Sequence, residues 1–176
     1  MRPSFKHIRN KYPSGNIIGA EVGVDEGINA EDILKELKIS KLSLIDPFIQ
    51  YMDWKNPVML EDKYKALLVK FCNTKNVEII RKTSIEASSM FDNESLDFVY
   101  LDGDHSYESA KSDMECWWPK VKLSGVLCGH DFQEDGIRKA LAEFLMKYHM
   151  KLCVVDDGEL PDWWIDKHEW SYYGKK

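Results

Sequence analysis

Cysteine is scarce and unpaired in this chain. Cys72, Cys116, Cys128 and Cys153 are scattered over 176 residues without a Cys-x-x-Cys pair. That pattern argues against a disulfide framework or a thiolate zinc site, and for reduced thiols in a cytoplasmic protein. No apolar run approaches the roughly 20 residues that a membrane span needs. The opening MRPSFKHIRN is basic, but no apolar stretch follows it as in a secretory signal. Basic charge is in deficit: 24 Lys and Arg against 30 Asp and Glu leave a net charge of -6. The deficit speaks against nucleic acid or an anionic membrane surface as partner. Repeats, low-complexity tracts and internal linkers are missing. So is a Gly-x-Gly-x-x-Gly turn, since the glycines around the first apolar run fall at 19, 23 and 27. That spacing does not build the pyrophosphate cradle of a nicotinamide dehydrogenase.

What is present suits one globular domain over residues 1–176, with 44% hydrophobic and 31% charged residues. Residues 1–15 read as an N-terminal extension and about 16–168 as the core. Short apolar runs at 16–24, 41–46, 77–81, 96–101 and 125–129 read as buried strands. Helical spacing occupies 28–38, 60–72, 84–90 and 106–121, where Pro119 should end or kink the helix. Asn29, with Asp32 three residues on, is the expected cap of the first. Residues 137–148 carry the cleanest stripe, with Ile137, Ala140, Leu141, Phe144, Leu145 and Tyr148 on one face. Two closing strands, 151–155 and 163–166, are joined by a turn too short for a crossover, so the last must pair antiparallel. The alternation predicts an α/β, doubly wound sheet, mostly parallel, with helices on both faces. The aromatic stretch 47–59 reads as a surface loop, whose Tyr51, Met52 and Trp54 either wall a site or form a surface cluster.

The chemistry concentrates where the central strand ends, at LDFVYLDGDHSYE (96–108). Asp102, Asp104 and His105 follow a run buried on both faces, and charge there is costly to desolvate unless something uses it. In open α/β sheets the crevice beyond the strands' carboxyl ends is where ligands sit. Around the first turn, Glu21, Asp25 and Glu26 repel a pyrophosphate. They suit a ligand that carries an ammonium and a sulfonium, with its carboxylate at the helix end. Asp25 and Glu26 also fit a merely solvated turn. Asp46, ending the second strand, is placed to accept hydrogen bonds from two vicinal ribose hydroxyls. Together these features describe S-adenosylmethionine.

EVGVDEG, LID at 44–46, KTS at 82–84, DFVYLDGDHSYE and GVLCGHDF, in that order, resemble the class I S-adenosylmethionine-dependent methyltransferases. Within them the resemblance is to the macrocin O-methyltransferase-like sugar O-methyltransferases, over roughly residues 16–168. It implies a Rossmann-like fold, with Glu21, Gly23 and Gly27 lining the methionine part of the cofactor. It further implies Asp46 on the ribose, Ser84 by the adenine and Asp102 beside the methyl donor. In metal-dependent members the carboxylate matching Asp102 and an acidic pair after the next strand hold magnesium. Here that pair is His130-Asp131, a departure from an all-carboxylate set.

If the strands ending at Leu101 and Gly129 are neighbours, Asp102 and Asp131 converge on one cation, which suits magnesium or manganese. His105, with a reference pKa of about 6.5, then serves as base, or else only caps its turn. His130 is either a third ligand or a supporting residue, and Asp104 a ligand-side carboxylate or a cap. The expected activity is O-methylation of a small hydroxylated acceptor, with oligomeric state open. Trp117, Trp118, Trp163 and Trp164 read as core or subunit-interface aromatics. Two alternatives stand beside this reading. One is a non-haem iron oxygenase with His105, His130 and either Asp102 or Asp131 as a 2-His-1-carboxylate site. The other is a catalytically silent, methyltransferase-like binding domain.

Overall fold

A computed structural model describes residues 1–49, 57–156 and 161–168. Its strands are β1 (Ile17–Val22), β2 (Ile39–Ile45), β3 (Val77–Ile80), β4 (Leu96–Leu101), β5 (Val121–Gly129), β6 (Cys153–Val155) and β7 (Asp162–Asp166). They form one sheet in the spatial order β3-β2-β1-β4-β5-β7-β6. The first five pair parallel, and β7 lies antiparallel to both β5 and β6. The sheet is the mostly parallel one that the alternation predicts, with the expected antiparallel closing strand. Between β1 and β4 the winding reverses, and a crevice opens there at the carboxyl ends.

Side-chain alternation along β4 places Val99 and Leu101 in one core layer and Phe98 and Tyr100 in the other, while Leu96, ahead of the register shift against β5, packs with the first. All six residues of the strand are buried. Helices α1 (Pro3–Lys11), α2 (Ile28–Glu36) and α3 (Pro57–Phe71) supply Phe5, Ile8, Ile33, Leu67 and Phe71 to the second layer. Against the first pack α4 (Ser84–Ser88), α5 (Tyr107–Trp117) and α6 (Asp135–Tyr148), through Ala87, Met114, Trp117, Leu141 and Phe144. Trp117, Trp118 and Trp163 are therefore core residues. Tyr51, Met52 and Trp54 lie outside the described residues.

Several boundaries differ from the sequence expectation, most by one or two residues, and four have a physical reason. Helix α3 begins at Pro57, in keeping with proline's fit to a first helical turn. Helix α5 stops at Trp117, and Pro119 sits in a single 3-10 turn over Trp118–Lys120. Strand β5 starts at Val121, because its register jumps from Leu96↔Val121 to Phe98↔Val126. The bulge leaves Lys122 and Leu123 only partly covered and Ser124 exposed, so no apolar run marks them. The cap of α2 is Gly27 in a left-handed conformation rather than Asn29.

Residues 1–15, expected as an extension, contain α1, and Phe5 and Ile8 have no exposed surface. This helix docks on β7. Buried Asp162 accepts hydrogen bonds from the Ser4 amide (2.9 Å) and hydroxyl (2.6 Å), while His7 and Lys11 both pair with Asp166. The four cysteines are all free thiols. Among the described residues, no helix is long and apolar enough to cross a membrane.

Candidate active site

A cleft of about 900 Å³ opens at the carboxyl ends of β1, β2 and β4. Its wall includes Gly23, Asp46, Ser84, Asp102 and His105, so four strand-end loops bring most of the sequence-predicted residues to one place. Four do not border it. Glu21 is completely buried, Gly27 caps α2, and His130 and Asp131 sit against Asp102 and His105 without lining the cleft.

The first loop works through close approach. Gly23 has φ +84°, and a side chain there would put its Cβ 2.1 Å from the Asp102 carbonyl oxygen. Only glycine lets the β1 and β4 loops meet this closely. Behind the loop, Glu21 Oε1 accepts from Asn29 Nδ2 at 3.1 Å, and Asn29 Oδ1 accepts from Arg2 Nε at 2.9 Å. Glu21 Oε2 has no hydrogen-bond partner among the described residues. Burial pushes the Glu21 carboxyl up to about 8, and the Asn29 contact only partly offsets it. Its expected negative charge is therefore absent near neutral pH.

Asp46 is occupied by the backbone. Its Oδ2 accepts from the amides of Val24 (3.0 Å) and Asp25 (3.1 Å), and its Oδ1 from Phe48 (2.8 Å). One carboxylate thus holds the β1 loop in place while still bordering the cleft; Oδ2, with two amides on it, is saturated, and Oδ1 keeps a further lone pair. Ser84 opens α4 just after the capping box of Thr83 and Glu86. Its Oγ accepts from Trp117 Nε1 at 2.9 Å.

Opposite lies a cluster of alternating sign. Asp102 Oδ1 is 3.0 Å from His130 Nε2 and 3.9 Å from His105 Nε2, and His105 Nε2 is 3.2 Å from Asp131 Oδ2. His130 Nδ1 lies against the same Asp131 oxygen, and Gln133 donates to Asp131 Oδ1 at 2.8 Å. Burial opposes charge on both carboxylates, but the two histidines beside Asp102, and His130 with the donor Gln133 beside Asp131, hold them below their ordinary range. The Asp102 carboxylate, 3.9 Å away, raises His105. Burial works against the His130 cation too, yet its two carboxylate partners lift it to about 9. Trp163 Nε1, donating to the His130 carbonyl at 3.0 Å, fixes the end of β5 from β7.

Asp102, His105 and Asp131 present donor atoms within 4.8 Å of one another. Two carboxylates and an imidazole suit a hard or borderline divalent cation. His130, placed in the ligand set from sequence, instead bridges the two carboxylates. Asp104 is a turn residue, accepting from the Ser106 amide and from the hydroxyls of Ser106 and Ser109. Two features escape a sequence reading. Arg2 has no sequence signal that links it to Asn29. Asp113 did carry one, since it falls within the apolar stripe of Ala110, Met114 and Trp117.

Comparison with known proteins agrees with this geometry. A family model described as "Methyltransferase domain" matches residues 20–132. The chain spans 6% and 58% of the curated relatives it matches, both of uncharacterized function, from Sinorhizobium fredii and Acanthamoeba polyphaga mimivirus. The second is 24% identical over 135 residues, 74% of this chain. Among solved structures, SMU.1697c of Streptococcus mutans, described as a methyltransferase in complex with SAH, has a TM-score of 0.67 at 13% identity, covering 95% of this chain and 99% of that one. The 1,6-didemethyltoxoflavin-N1-methyltransferase of Burkholderia thailandensis, solved with its substrate and S-adenosylhomocysteine, has a TM-score of 0.63 at 12% identity, covering 96% and 78%. At such identities the likeness concerns the fold. The family match runs from β1 through the end of β5, the span that carries every strand tip of the cleft, and by it this chain belongs to the methyltransferase-domain family.

Proposed function

We propose that the cleft binds S-adenosylmethionine and that the chain transfers its methyl group to a hydroxyl oxygen of a small, sugar-like acceptor. A divalent cation, magnesium or manganese, would be held by the carboxylates of Asp102 and Asp131, which leaves the His105 imidazole free to act as base. The observation that carries this reading is the convergence of Gly23, Asp46, Ser84 and Asp102 on one cleft, with the two-carboxylate cluster at its rim. Family membership and neighbours solved with S-adenosylhomocysteine support the cofactor. The sugar-like acceptor rests on the sequence resemblance.

In this reading Gly23 lets the cofactor lie on bare backbone, Asp46 accepts from a ribose hydroxyl at Oδ1, and Ser84 borders the base. Asp102 sits between the nucleoside and the acceptor. His105, at the rim and half-exposed, takes the acceptor's hydroxyl proton at its imidazole. The cation, when bound, makes that proton easier to lose. Holding donor and acceptor in line accounts for much of the acceleration. The oxygenase alternative has no support in the family match, which is to a methyltransferase domain.

Calorimetric titration with S-adenosylmethionine and S-adenosylhomocysteine, with and without magnesium, tests the cofactor. Both nucleosides should bind, and failure of both would end the proposal. Replacing Asp102 with alanine should abolish metal-dependent release of S-adenosylhomocysteine across a panel of polyhydroxylated acceptors; unchanged release would remove Asp102 from the chemistry. Cofactor binding without any product would favour a silent binding domain.

A further inference from the structure

Gly136 stands in the first turn of α6, does not line the cleft, and has no left-handed φ that would call for glycine. Alanine is the better helix former there. What excludes a side chain is the backbone of the β4 loop. A Cβ at 136 would lie 2.2 Å from the His105 carbonyl oxygen, 2.8 Å from the Tyr107 amide nitrogen and 3.0 Å from the Ser106 carbonyl carbon. All three are main-chain atoms, so no side-chain rotation relieves the overlap. The same face of α6 grips Tyr107 further along, at the i, i+3, i+7 spacing of neighbouring turns. Lys139 Nζ sits 3.9 Å from the centre of the Tyr107 ring, and Glu143 accepts from the Tyr107 hydroxyl at 2.7 Å. Ahead of the helix the chain ties back to Asp131. The Glu134 amide donates to the Asp131 carbonyl at 2.9 Å, Gln133 Nε2 donates to Asp131 Oδ1 at 2.8 Å, and Arg138 holds the Gln133 carbonyl at 2.7 Å. The start of α6 is thus a spacer, with Asp131 on one side and residues 105–107 on the other.

We propose that Gly136 is a positioning residue for the reacting centre: by seating α6 directly on the backbone of residues 105–107, it sets the distance of the Asp131 carboxylate from His105 and Asp102. This deepens the reading above and rests on it. Strand pairing alone does not fix that distance. Strand β4 ends at Leu101 and β5 at Gly129, so His105 and Asp131 both stand on loops beyond the sheet. Across the gap His105 Nε2 is 3.2 Å from Asp131 Oδ2, and His130 Nε2 is 3.0 Å from Asp102 Oδ1. A methyl group at 136 must part the two backbones by at least 0.8 Å, from 2.2 Å to the 3.0 Å below which real Cβ contacts do not fall. Either residues 105–107 move outward, or the start of α6 retreats and takes the Asp131 turn with it. Both widen the gap, and such constellations tolerate only about 0.5 Å.

Calorimetry with manganese, on wild type and on Gly136→Ala, tests this without an acceptor. The variant should lose about 10- to 100-fold in manganese affinity, the range for residues that orient ligands from behind. Its affinity for S-adenosylhomocysteine should stay within a fewfold, because Gly23, Asp46 and Ser84 lie on other loops. Unchanged manganese affinity would overturn the assignment of Gly136 while leaving the cofactor reading intact. A parallel fall of both affinities and of the melting temperature would also overturn it, since that is the mark of a merely structural glycine. Should Gly136→Ala not fold, Glu143→Ala, a part-exposed position, loosens the same grip at Tyr107. It should weaken manganese binding in the same direction, and no effect there overturns the inference. Wild-type protein that binds no manganese ends the two-carboxylate cation reading. The decision then falls to the His105 ring resonance, assigned by its loss in His105→Gln. At one pH it should move toward a solvated imidazole in Gly136→Ala, and an unmoved resonance sinks the inference.

Discussion

Glu21 is the residue at which burial and charge are most at odds. Its carboxyl is raised from 4.5 to about 8, so the folded state holds a proton that the unfolded chain releases. The sign follows: stability from the neutral form is fully present below about pH 4.5 and is lost as pH rises toward 8. Glu21→Gln should therefore gain on wild type between pH 5 and pH 8, by several kcal/mol, in urea unfolding. A gap that stays constant with pH would mean the carboxyl is ionised in the fold. Asp46 calls for a different measurement. Asp46→Ala orphans three backbone amides and should weaken S-adenosylhomocysteine binding by roughly 1–3 kcal/mol. Unaltered affinity in calorimetry would free Asp46 of any cofactor role. At this scale sequence reading located Asp102, His105 and Asp46, because charge at the end of a buried strand stands out by its desolvation cost. It could not locate the partners of Glu21, since Arg2 and Asn29 reach it only through folding. Nor could it tell that Glu21 lies behind the cleft and is protonated.

Among the elements, α1 departs most from expectation. Nine residues with a basic end carry too few apolar positions to advertise a core helix, yet Phe5 and Ile8 are wholly buried. Phe5 packs on Tyr100 with ring centroids 5.4 Å apart. Phe5→Ala should cost roughly 3–5 kcal/mol in urea unfolding, as for other large core truncations. A loss below about 1 kcal/mol would show that α1 is dispensable. The turn after β1 makes the opposite case, of an element readable in advance. Gly23→Ala must relieve both a positive φ and a 2.1 Å approach to the Asp102 carbonyl, so it should abolish nucleoside binding in calorimetry. Retained binding would show that the loop tolerates displacement. Boundaries failed where the local signal was weak. The β5 bulge puts part-exposed residues inside a strand, and Gly27 displaced Asn29 as the cap because Asn29 is drawn inward to Glu21.

For the molecule as a whole, ligand binding and folding are linked, because the cleft exists only when β1, β2 and β4 share a sheet. Saturation with S-adenosylhomocysteine at 100 times its dissociation constant should stabilise the protein by about 2.7 kcal/mol. Thermal unfolding with increasing nucleoside reads this directly, and a melting temperature that ignores the nucleoside would contradict binding to the native cleft. The linear pattern by itself determined the strand and helix alternation, the parallel class, the antiparallel close and the cluster of chemistry after the central strand. Each follows from periodicity or from the cost of burying charge, and both are local. Tertiary structure alone decided which strands are neighbours, and with that the meeting of Asp102 and Asp131 across β4 and β5. It alone put His130 between the two carboxylates, Glu21 out of the cleft and Asp113 onto its wall. Those outcomes depend on distances between residues far apart in the chain, which no spacing along the sequence encodes.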